Sequence, residues 1–252
     1  LARWLPQAWR ASWPCQGPQQ VAVSFYSVKY SQEEIAHTMA AMAALSYIPE
    51  VEMGFWGEDH GIEAPVLASL KGLHCVGRLQ LYDGRTVTDE TVPYLEDIAV
   101  RDTLVLRFSP LTDRGFVRLR RWQNMMQLQL EYLPNMTGSS LSQYPRLQRI
   151  TLLFCATSDE GLAAMGQCAE LRWLTIEQGS LTGTGLRAFA HHPRLETLAI
   201  MSCPDFRASE LGSLAEVKTL QLIEFTDSVL DEEDVRGLSQ LGQLKDLSIF
   251  DS

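Results

Sequence analysis

No stretch of this 252-residue chain reaches the roughly 18 apolar residues that a membrane-spanning helix requires, and the longest helix-like run, residues 35–45, is far too short. Cysteine is scarce and unpatterned. Its five copies (Cys15, Cys75, Cys155, Cys168, Cys203) form an odd set with no CxxC, which excludes a disulfide framework and a zinc site and points to free thiols in a reducing, cytoplasmic setting. Positive charge is short: 21 Lys+Arg stand against 31 Asp+Glu, and a net charge of −10 repels phosphate backbones and anionic lipid, so nucleic acid is not an expected partner. The five histidines (His37, His60, His74, His191, His192) include no pair at i+3 or i+4, so no helix face carries a preformed metal site, and no GxSxG nucleophile motif occurs. No cofactor, metal or enzymatic activity is expected. The chain also begins without methionine, in a Trp-rich stretch with no signal-peptide apolar region, so the natural N-terminus is expected to lie upstream.

Leucine is missing from the start but not from the rest. Of 36 leucines only three fall in residues 1–66, so a leucine-based pattern must be sought downstream. It is periodic there. Apolar-x-apolar pairs recur at Leu79/Leu81, Leu104/Leu106, Leu128/Leu130, Ile150/Leu152, Leu174/Ile176, Leu198/Ile200, Leu220/Leu222 and Leu247/Ile249, in steps of 25, 24, 22, 24, 24, 22 and 27 residues. Three places before most pairs stands another apolar residue (Val76, Met125, Leu147, Leu171, Leu195, Val217, Leu244), with Arg101 the exception, so the unit reads LxxLxL. Polar caps then lead into apolar residues at helical spacing: Thr88-Asp89 before Val92 and Leu95, Thr112-Asp113 before Phe116 and Leu119, Ser158-Asp159 before Leu162 and Met165, and Thr182 before Leu186 and Phe189. Each unit is therefore a strand, a turn and a short helix, and stacking alone can bury its apolar face.

The LxxLxL units resemble the leucine-rich repeat superfamily over residues 70–252. Cys155 and Cys203 occupy the Asn/Cys slot of that pattern, and the helical second halves make the likeness greatest to the cysteine-containing and ribonuclease-inhibitor-like subtypes. The resemblance implies an α/β, right-handed horseshoe solenoid with a parallel concave sheet of about ten short strands and short helices on the convex side. The leucine-poor start fits as degenerate repeats. Ile48, Val51 and Met53 form one unit, with its helix over residues 64–73, and Val21-Ala22-Val23 another, with Ser31 and Glu34 as a capping box. The expected organisation is a cap or the stump of a preceding segment in residues 1–20, then one repeat domain over 21–252, degenerate in 21–69 and regular in 70–252. Ending after a strand, the last repeat is expected to expose a core face, as a truncated or docked array would.

Three features offer chemistry, and each has a plainer explanation. Gly183-Thr184-Gly185-Leu186-Arg187-Ala188 matches a dinucleotide GxGxxA, but it occupies the turn slot that Thr112–Gly115 fills without the motif. His191-His192 reads as a solvated pair at a helix C-terminus, and Asp89-Glu90, Asp159-Glu160 and residues 231–234 as acids at helix starts. The sequon Asn135-Met136-Thr137 matters only in a secreted protein.

The two-residue period of a strand places the residues between and beyond the leucines on the concave face. Counting the first apolar residue as position one, position seven holds Tyr82, Arg107, Glu131, Leu153, Glu177, Met201, Ile223 and Phe250, and position eight holds Phe25, Phe55, Phe108, Tyr132 and Phe154 among others. Two readings of the rings stand open: they fold over the strand ends as an internal ladder, or they form an exposed aromatic platform. The platform reading makes Phe55, Tyr82, Arg107, Phe108, Glu131, Tyr132, Leu153, Phe154, Glu177, Met201, Ile223 and Phe250 the surface for a protein or peptide partner. In the alternative, the repeats are the recognition arm of a larger protein, a ubiquitin-ligase adaptor or immune-type receptor, with its effector domain upstream of Leu1.

Overall fold

The computed structural model describes residues 22–26, 31–43, 48–54, 62–226 and 232–250. Ten strands pair in chain order into one wholly parallel sheet: β1 Ala22–Tyr26, β2 Ile48–Gly54, β3 Cys75–Leu81, β4 Ala99–Arg107, β5 Gln127–Glu131, β6 Arg149–Leu153, β7 Trp173–Glu177, β8 Thr197–Met201, β9 Leu222–Thr226 and β10 Asp246–Phe250. A strand that always pairs with the next one in sequence leaves the return segments stacked behind the sheet as a second layer. That layer holds α1 (Gln32–Met42), α2 (Ala64–Ser69), α3 (Asp113–Phe116), α4 (Asp159–Met165) and α5 (Glu232–Leu238). Between them stand 3₁₀ turns at Leu70–Gly72, Val92–Tyr94, Arg120–Trp122, Ser139–Gln143, Thr184–Phe189 and Ala208–Leu214. Strands stack about 4.8 Å apart and helices 8 to 10 Å apart, so the sheet takes the inner, concave rim.

The core runs the length of the coil and consists of the leucine-type positions. Position-four and position-six side chains such as Leu104, Leu106, Leu128, Leu130, Leu174 and Ile176 are buried, as are the first positions Val76, Met125, Leu147 and Leu171. Larger residues clamp neighbouring turns on the convex side. Trp122 Nε1 donates to the Ile98 carbonyl (3.0 Å) and the Tyr144 hydroxyl to the Phe116 carbonyl (2.8 Å), with the Phe116 ring edge-on to both aromatics. The Ser31–Glu34 capping box at the start of α1 is present. Position nine links neighbouring repeats at two places: Ser109 Oγ donates to the Val87 carbonyl (2.6 Å), and Cys203 Sγ accepts from the Gly179 amide (3.3 Å).

The register departs from the expected frame at three places. In β9 it is Ile223 and Phe225, not Leu220 and Leu222, that pair with Leu198 and Ile200. Ile223 is thus a core residue, 1% exposed, and not part of the concave surface. Both Val217-x-x-Leu220-x-Leu222 and Leu220-x-x-Ile223-x-Phe225 satisfy LxxLxL, and Leu220 occupies the first slot of the true frame. In β1 the partners of Val51 and Met53 are Val23 and Phe25, which moves Phe25 from position eight to position six. The Arg101 exception disappears as well: Val100 pairs with Val76 and is buried, and a register shift follows it. An irregularity of this kind absorbs the inserted residue and leaves Arg101 exposed.

Candidate functional site

Position eight has an uncommon backbone. Phe108 (φ 54), Tyr132 (φ 58), Phe154 (φ 55), Gln178 (φ 54) and Ser202 (φ 49) lie in the left-handed region in five successive repeats, although none is glycine. A residue with a Cβ pays roughly 1–2 kcal/mol there, and the hydrogen bonding shows what holds it. The amides of Phe108, Tyr132, Phe154 and Gln178 donate to the position-seven carbonyls of the next repeat, Glu131, Leu153, Glu177 and Met201, at 2.9–3.0 Å. Ser202 donates instead to Thr226 Oγ1 (2.9 Å). Sheet pairing therefore continues one residue past each strand while the chain turns away, and the side chain is projected at the rim.

The projected rings form a stack. Phe108 and Tyr132 lie 4.7 Å apart between centroids with planes 7° apart, and Tyr132 and Phe154 lie 4.5 Å apart at 11°. Both expectations for these rings hold in part: they pack on one another, yet Phe108 stays 49% exposed and Tyr132 41%, with Phe154 half-buried. The backbone spacing of neighbouring strands, about 4.8 Å, is close to the centroid separation of an offset aromatic stack, so a ring at each rung meets the next.

Beside the stack runs a fixed polar chain on the sheet face. Gln80 Nε2 donates to Glu50 (2.7 Å), the Tyr82 hydroxyl donates to Gln80 Oε1 (2.5 Å), the Arg107 guanidinium lies 4.8 Å from the Tyr82 ring centroid, and Arg107 pairs with Glu131 at 2.8 Å. Gln129 donates to the Glu131 carboxylate as well. Burial, and after it the nearby Glu52 carboxylate, pushes the Tyr82 phenol above its ordinary range. Glu131 is only 8% exposed, so it orders Arg107 more than it greets a ligand. Leu153, Glu177 and Met201 are half-buried on the same face. Phe250 holds the position-seven register by pairing with Thr226, with its side chain outside the described set, and Phe55 lies outside the described residues altogether.

Position three belongs to the concave face as well. Period two puts it on the same face as five and seven, which the LxxLxL count conceals because position three precedes the first leucine of the strand pair. Here stand Arg78, Gln127, Arg149 and Trp173, and Arg149 lies over the Trp173 ring at 4.7 Å.

The other candidates resolve into scaffold. The GxGxxA turn already holds an anion: Asp159 accepts from the Gly183 and Gly185 amides at 3.0 and 3.1 Å and from the Thr182 amide and hydroxyl at 2.9 and 2.8 Å. The position a phosphate would take is filled by the protein's own carboxylate. Asp89 is also a staple between repeats, accepting from the Thr112 amide and hydroxyl, and not merely an acid suited to a helix dipole. His191 is exposed as expected, but His192 is buried. Its Nε2 bonds the Cys168 carbonyl (3.0 Å), and its Nδ1 accepts from the Arg194 and Leu195 amides (3.3 and 3.0 Å). A Pro193 turn that needed its amides satisfied recruited the imidazole inward. Desolvation pushes the thiols of Cys155 and Cys203 up to about 11 and that of Cys168 to about 12, so they are poor nucleophiles. Among the described residues no cluster of three His, Cys, Asp or Glu could hold a metal, and no helix is long and apolar enough to cross a membrane.

No protein-family model matches the chain, and no curated protein sequence matches it. Solved structures do resemble it. An internalin (inlF) from Listeria monocytogenes superposes with a TM-score of 0.55 at 16% identity, covering 84% of this chain and 65% of that one. An internalin C2 (inlC2) from the same species covers 73% of this chain and 83% of its own, with a TM-score of 0.45 at 18% identity. This chain thus spans less than two thirds of the inlF structure. At such identities the likeness is one of fold, and that fold is the leucine-rich-repeat solenoid that the LxxLxL units imply.

Proposed function

We propose that this solenoid is a non-enzymatic binding module that holds a protein or peptide partner on its concave face. The observation that carries the reading is the exposed stack of Phe108, Tyr132 and Phe154 on left-handed backbone. The left-handed backbone belongs to the repeat, since Gln178 and Ser202 share it, but the three repeats that carry rings on it leave Phe108 and Tyr132 more than 40% exposed, and an exposed apolar row is typical of an interaction surface. The rings are rigid and immobilised by one another, which lowers the entropy lost on docking, and aromatic anchors beside ordered polar groups dominate the affinity of most protein interfaces. The chain from Glu50 to Arg107, which Glu131 orders, supplies those polar groups, with Leu153, Glu177 and Met201 extending the surface. Cys155 and Cys203 in the position-nine slot favour the cysteine-containing subtype of the repeat.

The test is capture of partners by the full-length protein, with identification by mass spectrometry, in parallel with Tyr132→Ala/Phe154→Ala. Loss of a specific partner by a variant that keeps its circular dichroism supports the concave-rim surface. Retention of every specific partner by the folded variant refutes it.

A further inference from the structure

Arg78, Arg107 and Arg149 stand on the concave face, each held by a residue of an adjacent strand, and what holds them differs. Arg78 pairs with Glu50 (3.3 Å) and Arg107 with Glu131 (2.8 Å), so each meets a carboxylate of the chain itself. Arg149 meets a ring. Its neighbours across the sheet are Gln127 and Trp173, neither of them an acid, and its guanidinium lies over the Trp173 ring at 4.7 Å. Among the described residues no carboxylate comes within ion-pair distance of it. A ring against one face orients a guanidinium and leaves the N–H groups at its edge free to donate, and that edge matches a carboxylate two bonds at a time. The polar side chains around Arg149 are unengaged as well. Gln127 beside it, and Thr151 and Thr175 two residues further along β6 and β7, make no side-chain hydrogen bond among the described residues. On the other half of the face Gln80, Tyr82 and Gln129 are all bonded within the chain from Glu50 to Glu131.

We propose that Arg149, fixed by Trp173, anchors an aspartate or glutamate side chain of the protein or peptide partner. The inference rests on the binding-module reading above and names the charge which that surface selects. Charge complementarity decides the occupant. Arg149 offers a positive charge that the chain does not cancel, at the position-three end of the sheet face. Glu131 and Glu177 stand at position seven of β5 and β7, four residues along the strands or roughly 13 Å away. A carboxylate is therefore drawn to the first end and repelled from the second. One arginine among neutral amide and hydroxyl groups matches a single negative charge, whereas a phosphate dianion calls for a cluster of cations. On a chain of net charge −10 a generally acidic partner is repelled, so the selection is for one placed acid and not for an acidic tract. Leu153, on the same strand and face as Arg149 and half-buried, lies roughly 13 Å from it and then receives an apolar side chain of the same partner.

The test is selection from a random-peptide library, displayed on phage, by the whole chain and in parallel by Arg149→Glu. Peptides enriched on the unaltered chain should carry Asp or Glu at a fixed distance from an apolar residue, and those enriched on Arg149→Glu should carry Lys or Arg in its place. For one peptide of the first kind, followed by fluorescence anisotropy, Arg149→Gln should weaken binding about tenfold or more. Arg149→Lys should keep the preference for acid at lower affinity, since an ammonium cannot form the two-bond pair. Should Arg149→Glu lose its circular dichroism, Arg149→Gln takes its place in the selection, and there the acid should no longer be enriched. The anchor is refuted if no specific peptide is recovered, if the enriched peptides carry no placed acid, or if the same acid is enriched on the variant. Peptides that lack the acid yet depend on Tyr132 and Phe154 remove the anchor and leave the concave-rim surface standing.

Discussion

Asp113 of one repeat holds Thr137 of the next through a single carboxylate oxygen, which accepts the Thr137 amide at 2.7 Å and its hydroxyl at 2.8 Å. The second oxygen accepts the Ser140 amide and hydroxyl at 2.9 and 2.8 Å. Asp159 grips Thr182 in the same manner, whereas Asp89 accepts the Thr112 amide on one oxygen and its hydroxyl on the other. These carboxylates connect turns on the convex side, alongside the apolar packing of residues such as Trp122, Leu141 and Phe189.

Asp113→Ala is therefore expected to cost about 2–4 kcal/mol, since it strips the partner from four donors, two of them backbone. Burial pushes the Asp113 carboxyl up, but the bonds from Ser140 and Thr137 outweigh it and hold the group below the ordinary carboxylate range. A carboxyl that titrates lower in the folded state contributes fully above its unfolded value of about 4, and the contribution is lost as pH falls through the folded value. Urea unfolding of the two proteins at pH 7 and pH 3 measures this. The gap between them should narrow in acid; a gap that is small at pH 7, or unchanged at pH 3, contradicts the staple.

Tyr132 separates backbone strain from ring stacking. Tyr132→Ala removes two ring contacts and keeps the left-handed penalty, whereas Tyr132→Gly removes the same contacts and relieves it. The glycine variant should be the more stable of the two by about 1 kcal/mol, the reverse of their order at an ordinary strand position. Thermal unfolding of both proteins decides the matter, and an alanine variant at least as stable as the glycine one would show that position eight is unstrained.

Gly161 is chosen for closeness and not for conformation. A Cβ there would lie 1.8 Å from the Thr137 carbonyl oxygen, so α4 can approach the preceding turn only without a side chain. Gly161→Ala should destabilise by about 2–4 kcal/mol, although alanine normally favours a helix. A neutral or stabilising result in denaturant titration would mean that the two turns separate freely.

What could be read from the sequence and what could not follow different physics. The parallel order, the core positions and the concave column at position seven come from periodicity, which Leu79 to Leu198 state almost without interruption. The frame failed where two overlapping patterns coexist, at Leu220 and Ile223 and again at Val21 and Val23, because apolar residues three or two apart satisfy either choice and strand pairing alone selects, and at Arg101, where a register shift in β4 absorbs an extra residue. The rings at Phe108, Tyr132 and Phe154 were visible, but their left-handed backbone was not, since non-glycine residues rarely mark it. The Asp159 staple was hidden for another reason: it joins residues 23 to 26 positions apart, and local patterns read as caps report only the near partner.

His192 carries the last expectation, a loss of stability in mild acid. The ring is neutral with its proton on Nε2, which donates to the Cys168 carbonyl, while Nδ1 accepts two backbone amides. Desolvation disfavours the cation and outweighs the Cys168 carbonyl bond that favours it, so the group titrates below the ordinary histidine range, and protonation would set Nδ1–H against the Arg194 and Leu195 amides. Its contribution is complete above about pH 6.5, the unfolded value, and is lost as pH falls through the folded one. His192→Ala should cost about 2–4 kcal/mol at pH 7.5 from the lost bonds and the cavity. The difference between the variant and the parent should shrink between pH 7.5 and pH 5, followed by urea unfolding at each pH, with His37, His60, His74 and His191 common to both proteins. A difference that stays constant or widens in acid would place the imidazole in a different protonation state from the one its three backbone partners require.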